Sequence, residues 1–219
     1  MLYFRGCTAR EKQKNISKAC EELLKIAGVD FHVLDDEPCC GSVLLRTGFH
    51  NEALKQIEKN TELLKDETIV TSCAGCYKTF SKDYKGLNVV HISQLLNKLI
   101  KENKLNFNKS DLKVTYHDPC HLSRDMEIYD EPRAVILSVA DLVEMENHHE
   151  NSLCCGAGGG VKSSYPQIAQ EVGKARLNQA KETECDTLIT TCPFCKVNLE
   201  NDEINVLDLC EFLRGALDE

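Results

Sequence analysis

Ten cysteines of this 219-residue chain follow one order given twice: a single cysteine, an adjacent pair followed by glycine, then a C-x-x-C. The first set is Cys7, Cys39-Cys40-Gly41 and Cys73-x-x-Cys76; the second is Cys120, Cys154-Cys155-Gly156 and Cys192-x-x-Cys195. The chemistry open to such sets is metal binding through thiolate sulfur. Structural zinc takes four ligands and a cubane iron–sulfur cluster also takes four, so five thiolates per set ask for a larger or irregular cluster. Adjacent cysteines reach one small tetrahedral ion only with strain, whereas they can serve neighbouring irons of a multi-iron cluster. Either C-x-x-C alone fits a zinc knuckle equally well. The repeated order decides for iron–sulfur at Cys7, Cys39, Cys40, Cys73 and Cys76 and at Cys120, Cys154, Cys155, Cys192 and Cys195, with zinc at one site as the minor alternative.

The elements that must position these residues alternate. β-rich runs lie at Leu2 to Arg5, Phe31 to Leu34, Thr68 to Thr71, Asn88 to Ile92, Lys113 to His117, Leu142 to Met145, Thr187 to Thr190 and Ile204 to Leu207. Amphipathic helical patterns occupy Lys12 to Ala27, Asn51 to Lys65, Ile92 to Lys101, Arg133 to Ala140 and Gln167 to Glu182. This alternation implies an α/β fold with mainly parallel pairing. Thr68-Ile69-Val70-Thr71-Ser72-Cys73-Ala74-Gly75-Cys76 matches Thr187-Leu188-Ile189-Thr190-Thr191-Cys192-Pro193-Phe194-Cys195 position for position, and Asn88 to Leu96 parallels Asn205 to Leu213. The expectation is an internal duplication of two Rossmann-like α/β halves, residues 1–106 and 107–219, related by a pseudo-two-fold, with the polar stretch Lys101 to Lys113 between them. The cysteine intervals are 31 and 32 residues in the first copy and 33 and 36 in the second, about one strand–helix unit each. Both sets should then gather at the strand carboxyl ends, where open α/β sheets bind ligands.

Gly41 and Gly156 each follow a doublet and are expected to open a helix, whose free N–H groups offset thiolate and sulfide charge. The second copy extends this to Gly156-Ala157-Gly158-Gly159-Gly160, allowing the backbone close to a cluster or substrate. A dinucleotide fingerprint is excluded, because its third glycine would fall at Val161. Cys20, Cys185 and Cys210 stand outside the pattern as buried thiols; Ser93 occupies the repeat position of Cys210.

Composition bounds the rest. Hydrophobic residues make up 42% and charged residues 28%, as in globular proteins. A formal charge of −9 argues against a nucleic-acid surface. The longest apolar run, Ala134 to Val143, contains Asp141 and falls short of the ~20 residues that span a bilayer. Thirteen cysteines, an odd count, without a recognisable signal peptide point to a reducing cytoplasm.

On these residues the chain resembles the cysteine-rich CCG-domain family, and within it is similar to one of the heterodisulfide reductase subunits and to the C-terminal part of another. Tyr116-His117-Asp118-Pro119-Cys120-His121, Cys154-Cys155-Gly156-Ala157-Gly158-Gly159-Gly160 and Cys192-Pro193-Phe194-Cys195 carry the likeness most fully. In the first copy the second interval is shorter than is usual in the family, which sets its cluster type in question. The resemblance implies two non-cubane [4Fe-4S] clusters, five cysteines apiece, with Gly158 and Gly159 beside the second. It also implies an oxidoreductase subunit reducing a small-molecule (hetero)disulfide such as CoM-S-S-CoB. The rival reading within the same family is a non-catalytic electron-transfer subunit of a flavin-dependent dehydrogenase acting on glycerol 3-phosphate, lactate or glycolate. The chain has no C-x-x-C-x-x-C-x-x-x-C-P run, so a ferredoxin-like iron–sulfur subunit, and in the second reading a flavoprotein, is the expected partner. His121 is the candidate proton donor, its unperturbed pKa near 6.5 suiting the task. His117 reads as a loop brace at a strand end, and His148-His149 as a solvated turn.

Overall fold

The computed structural model describes residues 1–217. Its first part runs β1 (Leu2–Phe4), α1 (Cys7–Glu11), α2 (Lys14–Ile26), α3 (Ser42–Arg46), α4 (His50–Leu64), β2 (Thr68–Thr71), α5 (Ala74–Lys82), β3 (Asn88–His91) and α6 (Ile92–Lys101). Its second runs β4 (Lys113–His117), α7 (Asp130–Leu137), β5 (Asp141–Leu142), α8 (Val161–Ser164), α9 (Pro166–Lys181), β6 (Thr187–Thr190), α10 (Pro193–Leu199), β7 (Asn205–Asp208) and α11 (Leu209–Gly215). The strands form two sheets, ordered β1-β2-β3 and β5-β4-β6-β7, and every pairing is parallel. The α/β expectation holds. Among the described residues no helix is long and apolar enough to cross a membrane.

Two expected strands contract. Phe31 to Leu34 is reduced to one parallel bridge between His32 and Leu2. The ladder stops there because Glu37 turns its carboxylate onto the N–H groups of Arg5 and Gly6, and Pro38 has no N–H to give. Leu142 to Met145 narrows to β5, after which Glu144 leaves the sheet for Arg133. Helix α7 starts at Asp130 rather than Arg133, with Asp130 and Glu131 in its first turn, where acidic side chains meet the positive end of the helix dipole.

Alternation along the strands sets both faces of each sheet. Tyr3, Val70, Val114, Tyr116 and Ile189 point into one central core with side chains of α2, α6, α7 and α11. Their strand neighbours Leu2, Phe4 and Ile69 enter a second cluster with Leu64, Phe80 and Tyr84, and Leu188 and Val206 enter a third with Leu177 and Leu199. The central core draws on both parts of the chain, α2 packing on α11 and α6 on α7. Cys20 of α2 and Cys210 of α11 lie in it with sulfurs 2.8 Å apart, and Cys185 is buried elsewhere, its thiol donating to Thr183 O.

The end of β4 is fixed by a buried ion pair. Asp118 receives both Nη1 and Nη2 of Arg133 at 2.8 Å and the N–H of His149 at 2.9 Å, while Arg133 also reaches Glu144 and lies 5.1 Å over the Tyr116 ring. Glycine conformation does the corresponding work near the doublets. Gly41 (φ 83°) caps α3 as expected, but in the second part it is Gly160 (φ 79°), not Gly156, that caps the matching helix α8. The longer second interval, 36 residues against 32, supplies four extra residues, which form the turn at 157–160. Gly156 (φ 89°) is instead wedged against α9, where a Cβ would lie 2.6 Å from Ala169 O; Gly158 faces open space.

Removing Asp118 leaves Arg133 buried without its best partner, so Asp118→Ala should cost about 3 kcal/mol in urea denaturation; a loss below about 1 kcal/mol would mean that Glu144 suffices. Gly156→Ala should destabilise by about 2 kcal/mol or more, whereas Gly158→Ala should leave the thermal midpoint in place. Equal midpoints for the two variants would contradict the packing described.

Candidate metal centre

Six of the ten cysteines stand where a strand gives way to a helix or turn, and the doublets stand apart from them. Cys7 opens α1 just after β1, and Cys120 lies in the turn after β4. Cys73 and Cys192 are the N-cap residues of α5 and α10, directly beyond β2 and β6. The doublets sit in the loops before α3 and α8. All ten line one cleft that opens to solvent. Their thiols neighbour one another in an unbroken series: Cys7, Cys39, Cys40, Cys76 and Cys73, then Cys192, Cys195, Cys155, Cys154 and Cys120. The first set meets the second where Cys73 touches Cys192.

Depth varies in much the same way in both sets. Cys40, Cys76, Cys155, Cys192 and Cys195 are buried, while Cys7, Cys39, Cys120 and Cys154 are partly exposed; Cys73, also partly exposed, departs from its counterpart Cys192. Backbone amides aim at the sulfurs: Gly41 N lies 3.5 Å from Cys39 Sγ, and Gly156 N lies 3.3 Å from Cys154 Sγ. The Cys195 and Phe194 amides serve Cys192. Cys192 is held well below the ordinary thiol range, first by the Cys195 thiol and then by that of Cys73; Cys154 is lowered by Cys120, then Cys155. The donors of those contacts, Cys195 and Cys120, are correspondingly pushed up, each chiefly by its bond to a neighbouring sulfur. Among the described residues the cleft offers sulfur ligands and no carboxylate, with amides placed to offset thiolate charge. Such a soft donor set fits iron–sulfur or zinc and does not fit magnesium or calcium.

Gly158 and Gly159 line the cleft, whereas Gly41 and Gly156 do not and reach the sulfurs through their amides. His121 also lines the cleft and leans across to the first set: its Nδ1 lies 3.4 Å from where a Cβ on Gly75 would stand. Its Nε2 is 3.9 Å from Asp125, which pairs with Lys78 at 2.6 Å, and burial lowers its pKa. His148 and His149 keep to each other and to Tyr129, away from the cleft.

Two features escaped the sequence reading. Val43, Arg46 and Thr47 of the α3 region also line the cleft, Thr47 against Gly160 of the glycine turn and Arg46 lying 3.6 Å from Asp83; their signal was proximity to the first doublet. His117, read as a loop brace, instead has a ring nitrogen grouped with the sulfurs of Cys155 and Cys195, all within 4.8 Å of one another. Its signal was its place at the end of β4, three residues before Cys120, as Phe4 stands at the end of β1 three residues before Cys7.

The family model described as CCG, cysteine-rich domain, matches residues 1–81 and 114–200. A subunit of the dihydromethanophenazine:CoB–CoM heterodisulfide reductase of Methanosarcina acetivorans is 41% identical over 216 residues, 91% of this chain and 53% of that protein. A subunit of the fumarate reductase (CoM/CoB) of Methanothermobacter marburgensis is 36% identical over 98% of this chain and 46% of its own length. An uncharacterized iron-sulfur protein of Methanococcus maripaludis is 36% identical over 92% of this chain and 41% of its own. The chain thus spans about half the length of the curated relatives it matches. With both cysteine sets inside the matched stretches, the chain belongs to the CCG cysteine-rich domain family.

Proposed function

We propose that this chain is an iron–sulfur oxidoreductase subunit that reduces a small-molecule disulfide, such as the CoM–CoB heterodisulfide, to two thiols at paired non-cubane [4Fe-4S] clusters. The observation that carries this reading is the meeting of Cys73 with Cys192, which makes two five-sulfur sets the floor of a single cleft. Opening a disulfide consumes two electrons and two protons, and clusters bound by the two sets would each supply one electron at a time. A bond lying between the sets could therefore draw on both. The relatives named for heterodisulfide reductase and for CoM/CoB-linked fumarate reductase support the class of reaction.

The chain's own residues would bind, orient and protonate. The glycine turn and Val43, Arg46 and Thr47 line the cleft and would contact a substrate there. Cys7, Cys39 and Cys76 with Cys40 and Cys73 would hold the first cluster, and Cys120, Cys154, Cys155, Cys192 and Cys195 the second. His121, reaching from one set toward the other, would deliver a proton to a leaving sulfur. The two halves, 1–106 and 107–219, would be copies of one ancestral unit about a pseudo-two-fold through the Cys73–Cys192 contact. The order of strands around β1 and β4, and the glycine-capped helices α3 and α8, support this. Electrons would arrive from a ferredoxin-like iron–sulfur partner.

Electron paramagnetic resonance on anaerobic, oxidised protein, with and without 2-mercaptoethanesulfonate, tests the reaction class. A new signal that appears only with the thiol is the expected result. Intact clusters indifferent to every candidate thiol would replace catalysis with electron relay. His121→Gln should lower disulfide turnover about 10²-fold or more at unchanged iron content; undiminished turnover would remove His121 from proton delivery.

A further inference from the structure

His117, at the end of β4, has one ring nitrogen engaged and one free. Nδ1 lies 3.0 Å from Nε of Arg176, and a guanidinium has donors only. Nδ1 is therefore the acceptor, and the ring proton sits on Nε2. That atom is buried with no hydrogen-bond partner, in a residue with 0% exposure. Buried N–H groups without an acceptor are rare and costly. The groups beside this one are sulfurs: a His117 nitrogen and the thiols of Cys155 and Cys195 lie within 4.8 Å of one another, and Nε2 is the nitrogen left to serve them.

The grouping could suggest a histidine ligand to the metal, but the hydrogen bonding argues otherwise. A ligand nitrogen needs its lone pair. With Arg176 occupying the lone pair of Nδ1, Nε2 presents a proton and can only donate. Arg176 is itself held by Asn147 O at 2.7 Å and Gln179 Oε1 at 2.8 Å, so the tautomer is fixed from behind. The first copy has no counterpart. Phe4 pairs with Thr71 in β2 as His117 pairs with Thr190 in β6, and Phe4 packs on Phe80 at 4.8 Å between ring centres.

We infer that His117 Nε2–H is a positioning donor to the sulfur of the second cluster, and that it makes this cluster easier to reduce than the first. The inference rests on the reading that the second set holds an iron–sulfur cluster. A hydrogen bond to cluster sulfur favours the more negative, reduced form, one of the protein's means of setting potential. Electrons entering the pair would then settle preferentially on the side carrying the glycine turn.

The test is a redox titration of the cluster-loaded protein followed by electron paramagnetic resonance, comparing wild type with His117→Phe and His117→Gln. In His117→Phe, one of the two transitions should move to lower potential, its reduced fraction at fixed potential falling about tenfold, or about 59 mV for one electron. The other transition should stay, and His117→Gln, which retains an N–H, should recover much of the shift. Pulsed measurements on ¹⁵N-histidine-labelled wild type should show a weak nitrogen coupling that persists in His121→Gln, so that it does not come from His121. Two unmoved transitions in His117→Phe, or a strong coupling typical of a direct ligand, would overturn the inference. Should the Phe variant lose metal, the wild-type coupling decides alone. Wild type without iron would first remove the cluster reading, a failure visible before any variant is made.

Discussion

Ten neighbouring thiols in one cleft are an electrostatic problem before they are a site, because each thiolate raises the cost of ionising the next. The molecule answers by placing several of the sulfurs at helix starts or within reach of backbone N–H groups. Cys73 and Cys192 are themselves helix N-caps, Cys7 opens a helix, and the doublets take amides from Gly41 and Gly156. That requirement explains why the sets sit beyond the carboxyl ends of parallel strands, the place from which helices start. It also explains the one continuous core under the cleft: α2 against α11 and α6 against α7 hold the two sheets at the spacing that lets Cys73 touch Cys192.

The two sides of the cleft are built alike and furnished differently. The second set has His117 behind it, His121 above it and a four-residue glycine turn at its edge. At the corresponding places the first has Phe4, Thr8 and the short run into α3. Their supports differ as well: the segment before Cys120 is braced by the Asp118–Arg133 pair, whereas that before Cys7 hangs from the Glu37 carboxylate through Arg5 N and Gly6 N. The two cysteine sets thus share their order and their places beside the strands, while the residues around them differ.

The cysteine sets, the parallel α/β class and most helices could be read from the chain because each leaves a periodic or repeated trace. What stayed hidden depends on tertiary contact. Pro38 and Glu37 end a strand that its apolar run promised, and Gly160 takes the capping role that adjacency gave to Gly156. His117 shows the limit most plainly. Its residue type and strand-end position were visible, but its pairing with Arg176 spans 59 residues and has no local signature. Arg46 likewise becomes a cleft residue only when α3 is laid against the opposite turn.

The most direct test of the central claim, two adjacent clusters in one cleft, is iron and acid-labile sulfide per chain, measured together with the resonance line shape when both sites are paramagnetic. The expected result is iron and sulfide for two clusters, with mutual spin broadening that vanishes when only one site is paramagnetic. Zinc without labile sulfide, or two clusters showing no magnetic interaction, would contradict it.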